Sequence, residues 1–342
     1  MPAGHGDTEI MKRHVCKTAL ALTAVLIGIS GSAHAAGVRI GYQLVYGPWK
    51  AGMKAIEAEG FGGRGIEFVK FTSGSEVVDA MASGSVDISF IGSSPMAAGY
   101  SRDVDLQVIY VHDNIHNAEA LVVDDSISAP QDLRGKTIAA PFGSTAHFHL
   151  MFALEQFNIP PQALGVIDLS PPDMAAAWER GDVNGGFVWY PALGRMKQRG
   201  RVLISSGDLS NWGNATFDAM AARKGFTNRN PIFTCQWVKM VASADADYRA
   251  NPEKYGPGAA NAKAIAAAVS GNEAQIGDVL ALYDYPTLQQ QISPIWLGGG
   301  VQEALKAASE FLKSQGKLDK VLKSYADSAT PRFAKMALEG GC

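Results

Sequence analysis

The stretch Val86-Asp87-Ile88-Ser89-Phe90-Ile91-Gly92-Ser93-Ser94-Pro95 decides the fold. An apolar strand runs over 86–92 and hands over at once to a helix over 94–100. Pro141-Phe142-Gly143-Ser144-Thr145-Ala146-His147 repeats the device further along. Hydroxyl side chains at such a junction sit beside backbone N–H groups that the helix leaves unpaired, and beside the positive end of its dipole. That setting attracts an anion. Two such junctions brought face to face would hold a small anionic ligand from both sides.

Outward from this point the same rhythm continues. Strands are expected over 38–45, 65–71 and 106–111, with helices over 48–59 and 73–81 between them. A strand over 119–123 follows, and Asp124-Asp125-Ser126 with Ala129-Pro130 then punctuates the chain, so the first crossing between domains is placed there. A second unit has strands over 136–140, 166–169 and 186–189 and helices over 144–157 and 173–180. Residues 217–222 read as the strand that returns to the first domain, and helices over 231–244, 259–269, 273–282 and 301–315 complete the chain. The class is α/β, with parallel sheets covered by helices. Ligands of such sheets sit outside the carboxyl ends of the strands, where Ser93 and Ser144 both lie.

The 342 residues are 47% hydrophobic and 18% charged, enough for about two globular domains. A net charge of −3 and the lack of any basic run exclude a nucleic-acid partner. Residues 1–35 read as an export signal. Lys12, Arg13 and Lys17 precede an apolar run over 18–29 that is too short to span a membrane, and Ala33-His34-Ala35 is a cleavage site. Met11 is an alternative start. Cleavage leaves Cys235 and Cys342, which allow at most one bridge and no zinc site. Cys235 lies in an apolar helix-like run and reads as a buried thiol, and Cys342 as a mobile end. The mature protein is therefore expected to work outside the cytoplasm as a monomer, without a cofactor.

Several segments carry a resemblance: Tyr42-Gln43, Phe71-Thr72-Ser73-Gly74, Gly92-Ser93-Ser94-Pro95, Asn117-Ala118-Glu119-Ala120-Leu121, the Pro141 to His147 stretch, Pro171-Pro172, Trp178-Glu179-Arg180-Gly181-Asp182, Val188-Trp189-Tyr190-Pro191, Asn211-Trp212-Gly213 with Asp218, and Thr287-Leu288-Gln289-Gln290-Gln291. Taken in order, they resemble the periplasmic taurine-binding proteins of ABC importers, within the wider group that binds alkanesulfonates and nitrate. The resemblance implies a two-lobed periplasmic binding protein fold of type II with a two-strand hinge. Combined with the crossings above, it divides the chain into lobe 1 (36–123 and 223–342) and lobe 2 (124–222). It also implies capture of taurine and its delivery to a membrane permease.

Taurine needs a donor-rich end for its sulfonate and a carboxylate for its ammonium. Ser93, Ser94, Ser144 and Thr145 are candidates for the sulfonate, or plain caps of the following helices. His147 could donate there or simply pack, and Gln43 ends a strand with a group that donates or accepts. Asp218, between apolar neighbours, suits the ammonium, or a salt bridge to Arg223. Glu119 shares the ammonium or braces the hinge. Trp189 shields the two-carbon linker and offers its indole N–H, or packs in the core. The relatives often carry an acid where this chain has Gly47, which leaves another aliphatic sulfonate or a nitrate-like anion as the alternative ligand. An enzyme on the same fold is the remaining rival, and no nucleophile–base–orienter set is evident for it.

Overall fold

The structure, a computed structural model, describes residues 37–45, 47 and 65–342. The expected export signal and the expected helix over 48–59 lie outside the described residues. The strands are β1 (Val38–Gln43), β2 (Ile66–Phe71), β3 (Ile88–Gly92), β4 (Gln107–Asn114), β5 (Glu119–Val123), β6 (Thr137–Ala140), β7 (Gly165–Asp168), β8 (Gly185–Trp189), β9 (Arg201–Ser205) and β10 (Phe217–Ala222). The first helices are α1 (Gly74–Ala82), α2 (Ser93–Ser101), α3 (Thr145–Gln156), α4 (Pro171–Arg180), α5 (Ala192–Met196) and α6 (Ser206–Asn211). The later ones are α7 (Lys224–Arg229), α8 (Pro231–Ala250), α9 (Ala260–Val269), α10 (Ile276–Leu280), α11 (Leu288–Gln291), α12 (Gly300–Ser314) and α13 (Arg332–Leu338).

Local chemistry accounts for the helix boundaries nearest the site. Ser73 caps α1 by accepting from the Glu76 N–H, and Ser144 caps α3 by accepting from the His147 N–H. α4 opens on Pro171-Pro172 behind the Ser170 cap, and Gly181 ends it in the left-handed region at φ 81°.

Two five-stranded sheets form, in the orders β2-β1-β3-β10-β4 and β7-β6-β8-β5-β9. The two orders are the same pattern. In each, four strands run parallel and one antiparallel: β10, which returns after the whole second sheet, lies between β3 and β4, and β5, the first strand of its own sheet, lies between β8 and β9. Side chains alternate along these strands and both faces are apolar, so both need cover. On β5, Ala120 and Val122 pack with Met174 and Met196 of α4 and α5, while Leu121 and Val123 pack with Leu150 and Leu154 of α3. On β10, Met220 and Ala222 face Trp237 and Val238 of α8, while Ala219 and Ala221 face Met96 of α2 and Leu305 of α12.

The lobe boundaries expected at 123 and 222 fall one strand late. β5 pairs in the second sheet and β10 in the first, so the chain crosses at the 3₁₀ turn His116–Ala118 and again between α6 and β10. The turn residues at 124–130 end β5 at the far side of the second sheet instead of marking the crossing. The expected strand over 38–45 stops at Gln43, and β9, α5 and α6 went unread.

Cys235 and Cys342 form a disulfide that closes a separation of 107 residues and fixes the C-terminus to α8. Cys235 is thus no free thiol, and the Gln236 amide donates to the Cys342 carbonyl at 3.4 Å. A loop of that length restricts the unfolded chain strongly, and Cys342→Ser is expected to lower stability by about 2–4 kcal/mol. Urea denaturation with and without reductant checks this. The loss should disappear when wild type is reduced as well.

Candidate functional site

β1, β3, β5 and β8 all deliver a side chain or backbone to one place at the meeting of the two sheets. Gln43, Gly92, Glu119, Ser144, Thr145, Trp189 and Asp218 line a cavity there, with Pro95 and Tyr283 among the apolar and aromatic walls. The space among them unfilled by atoms is about 470 Å³, open solvent included. The first lobe contributes Gln43, Gly92 and Asp218, and the second Glu119, Ser144, Thr145 and Trp189.

Register explains the grouping. Asp218 pairs with Gly92 across β10 and β3, and Glu119 pairs with Trp189 across β5 and β8. Gly92 is where the lobes touch. A Cβ built there would lie 2.9 Å from Thr145 Cγ2, 3.6 Å from Thr145 Oγ1 and 3.4 Å from Asp218 Oδ1. Only a residue without a side chain lets Thr145 of the second lobe come so close.

The cavity has two kinds of wall. Trp189 is buried, and its Nε1–H has no hydrogen-bond partner among the described residues. Ser144 Oγ already accepts from the His147 N–H at 3.1 Å, which leaves its proton to give. The first N–H groups of α3, on Thr145 and Ala146, have no intrahelical partner. Gln43 Nε2 donates to the Phe90 carbonyl at 3.4 Å. Trp189, Ser144 and the helix-end N–H groups make a donor wall at a helix N-terminus. Two acids share the cavity: Glu119, the cross-strand partner of Trp189, and Asp218 on β10. Burial pushes the Asp218 carboxyl up to about 7. It pushes Glu119 up to about 8, where the Thr145 hydrogen bond opposes the shift and the nearby Asp218 charge adds to it. Among the described residues, no lysine or arginine lines the cavity.

The other expected residues lie elsewhere. Ser93 accepts from the Phe217 N–H at 3.3 Å, and with Ser94 it lines a second cavity beside Phe148, Thr216 and Ala308. The junction after β3 therefore presents Gly92 and Pro95 to the first cavity, not its hydroxyls. His147 stacks on Phe142 with ring centres 4.5 Å apart, and its Nδ1 accepts from the Gly143 N–H at 3.3 Å. Burial brings its pKa down to about 4, Lys317 adds to the shift and Asp168 opposes it. Arg223 pairs with Asp87, so the rival partner of Asp218 is taken. Sequence reasoning missed His149 and Ser206, which bind behind Glu119, and the only signal for them was their place one helix turn after Thr145 and just after a strand.

This architecture is that of the two-lobed periplasmic binding proteins. The structure superposes on the alkanesulfonate-binding protein SsuA from Xanthomonas axonopodis pv. citri bound to MOPS with a TM-score of 0.71, at 22% identity, covering 87% of this chain and 99% of that one. The periplasmic nitrate-binding protein NrtA from Synechocystis PCC 6803 gives a TM-score of 0.68 at 14% identity, over 89% of this chain and 88% of that one. In sequence, the chain is 35% identical to the taurine-binding periplasmic protein of Escherichia coli (strain K12) over 92% of its own length and 98% of the relative's. Residues 32–270 match the NMT1-like family, and the chain belongs to it. These relatives are named as binding proteins. Among the described residues no helix is long and apolar enough to cross a membrane.

The raised acids have a consequence for stability. A carboxyl whose folded pKa lies above its unfolded value stabilises the fold fully below the unfolded pKa, and that contribution is lost as pH rises through the folded one. For Asp218 and Glu119 the loss builds as pH rises from the ordinary carboxylate range and is complete once pH passes about 7 and about 8. His147 and His149, brought down to about 4, stabilise the fold as pH rises to the ordinary imidazole range and offset that loss below it. The thermal midpoint of the ligand-free protein is therefore expected to drop between about pH 6.5 and about pH 8.5. A flat profile in differential scanning fluorimetry would remove both shifts.

Proposed function

We propose that the protein captures taurine between its two lobes outside the cytoplasm and delivers it, as a monomer, to the permease of an ABC importer. One observation carries this reading. One cavity brings helix-end and indole donors together with Asp218, with no basic residue among the described residues of its lining. A sulfonate suits the donor wall, where Trp189, Ser144 and the first N–H groups of α3 supply several hydrogen bonds to three oxygens. An ammonium two carbons away suits Asp218. The 35% identity to a taurine-binding periplasmic protein supports the same ligand. Gln43 takes part from the first lobe, so the ligand touches both halves and favours their closure about the two crossings. Residues 1–35 act as the export signal. Ser93, Ser94 and His147 support the two junctions from behind.

An aliphatic sulfonate without an amine, or nitrate, would leave Asp218 facing no cation. The test is isothermal titration calorimetry with taurine, ethanesulfonate and nitrate. Taurine is expected to bind tightest, and Asp218→Asn to weaken it at least about 100-fold while leaving ethanesulfonate within about threefold. Because Asp218 must ionise to meet an ammonium, taurine affinity should rise from about pH 6 to about pH 8. Stronger binding of ethanesulfonate or nitrate than of taurine would overturn the assignment.

A further inference from the structure

Behind the cavity, four polar groups are linked in a row. Thr145 Oγ1 donates to Glu119 Oε1 at 2.8 Å, Glu119 Oε2 lies 3.1 Å from Ser206 Oγ, and Ser206 Oγ lies 2.7 Å from His149 Nδ1. His149 Nε2 lies 2.8 Å from the Asn214 carbonyl oxygen. That last contact sets the direction of all the others. A carbonyl only accepts, so His149 Nε2 carries a proton. In a neutral ring Nδ1 is then an acceptor, and Ser206 must give its one proton to it. Ser206 has nothing left to give Glu119, so the bond between them forms only with the proton on Glu119 Oε2.

The alternative holds the same number of protons with an imidazolium at His149 and a carboxylate at Glu119. It separates charge at two side chains whose exposure is 0% and 1%. Burial disfavours both ions. The titratable groups facing Glu119 among the described residues are Asp218 from β10 and His149 from α3. The Asp218 charge makes a second carboxylate still less favourable. The shifts agree: burial lowers His149 to about 4, against the bond to Asn214, while Glu119 rises to about 8.

We propose that Glu119 is a neutral acid heading a one-way hydrogen-bond relay, Glu119 to Ser206 to His149 to the Asn214 carbonyl, and that this relay turns Thr145 into an acceptor towards the cleft. Thr145 has one proton, and Glu119 Oε1 takes it. Only lone pairs remain for a ligand. Thr145 and Asp218 line the same cavity and both flank Gly92. Two side chains that offer only lone pairs suit a cation, so Thr145 belongs with Asp218 at the ammonium end and not with the sulfonate donors, where the sequence put it. Glu119, Ser206 and His149 are positioning residues. They also tie the cleft to Asn214, in the second crossing between the lobes.

The placement of Thr145 rests on the taurine reading, whereas the protonation of Glu119 does not. Two measurements on ligand-free protein near neutral pH decide the latter. Nitrogen-15 NMR of histidine-labelled wild type should show His149 neutral with its proton on Nε2, and a doubly protonated ring would overturn the relay. Infrared difference spectra of wild type minus Glu119→Gln should show a carboxylic-acid carbonyl band, and a carboxylate band instead would also overturn it. For the role in binding, Glu119→Ala should weaken taurine about tenfold or more, and Glu119→Gln should recover to within about threefold of wild type, since an amide donates and accepts as the neutral acid does. Equal damage from both variants would make Glu119 the ammonium's counter-charge and sink the relay's role. Wild type that ignores taurine would defeat the ligand reading while the two spectra still decide the relay.

Discussion

The close approach of Thr145 to Gly92 is the constraint on which the site depends. It brings the N-terminus of a helix in one lobe against the end of a strand in the other. It also places Asp218, the cross-strand partner of Gly92, beside the hydroxyl that Glu119 holds. A methyl group at residue 92 would press on Thr145 and part the lobes. The donors of the second lobe would then face water instead of the first lobe's acid. Water screens such contacts, and their exclusion strengthens them.

Burial, acting on unlike groups, gives the cavity its polarity. The donor wall is built from neutral groups, an indole, hydroxyls and helix-end N–H groups, which are buried at small cost. The acid wall lies in the same surroundings, and there burial holds protons on. An acid held ready in this way costs less than a naked charge and still ionises when a cation arrives. Glu119 and Asp218 divide the work. Glu119 has a hydroxyl chain to settle its proton, whereas at Asp218 burial raises the carboxyl.

The fold was legible wherever local pattern suffices. β10 was read end to end because an apolar run closes on a single basic residue, and β3 with α2 because the glycine-serine junction is sharp. β9 was missed because Arg201 and Val202 are exposed and the strand lies at the sheet's edge. The return of β10 to the first sheet was read, but the place of β5 in the second was not, since which strands pair is a non-local fact that no turn signal carries. The joining of Cys235 to Cys342 escaped for the same reason.

The two junctions looked equivalent in sequence and are not equivalent in space. Ser144 and Ser93 each follow a strand, yet only Ser144 reaches the cavity. The difference lies in what each junction packs against. α2 is packed against α1, α3 and α12, so its first residues are turned away from the first cavity and Ser93 serves the β10 backbone. α3 begins at the lobe boundary, where its end is free to face across. A hydroxyl at a strand-to-helix junction is thus a site for an anion only where the rest of the fold leaves that end open. The sequence motif names the chemistry, and the neighbouring helices decide whether it is used.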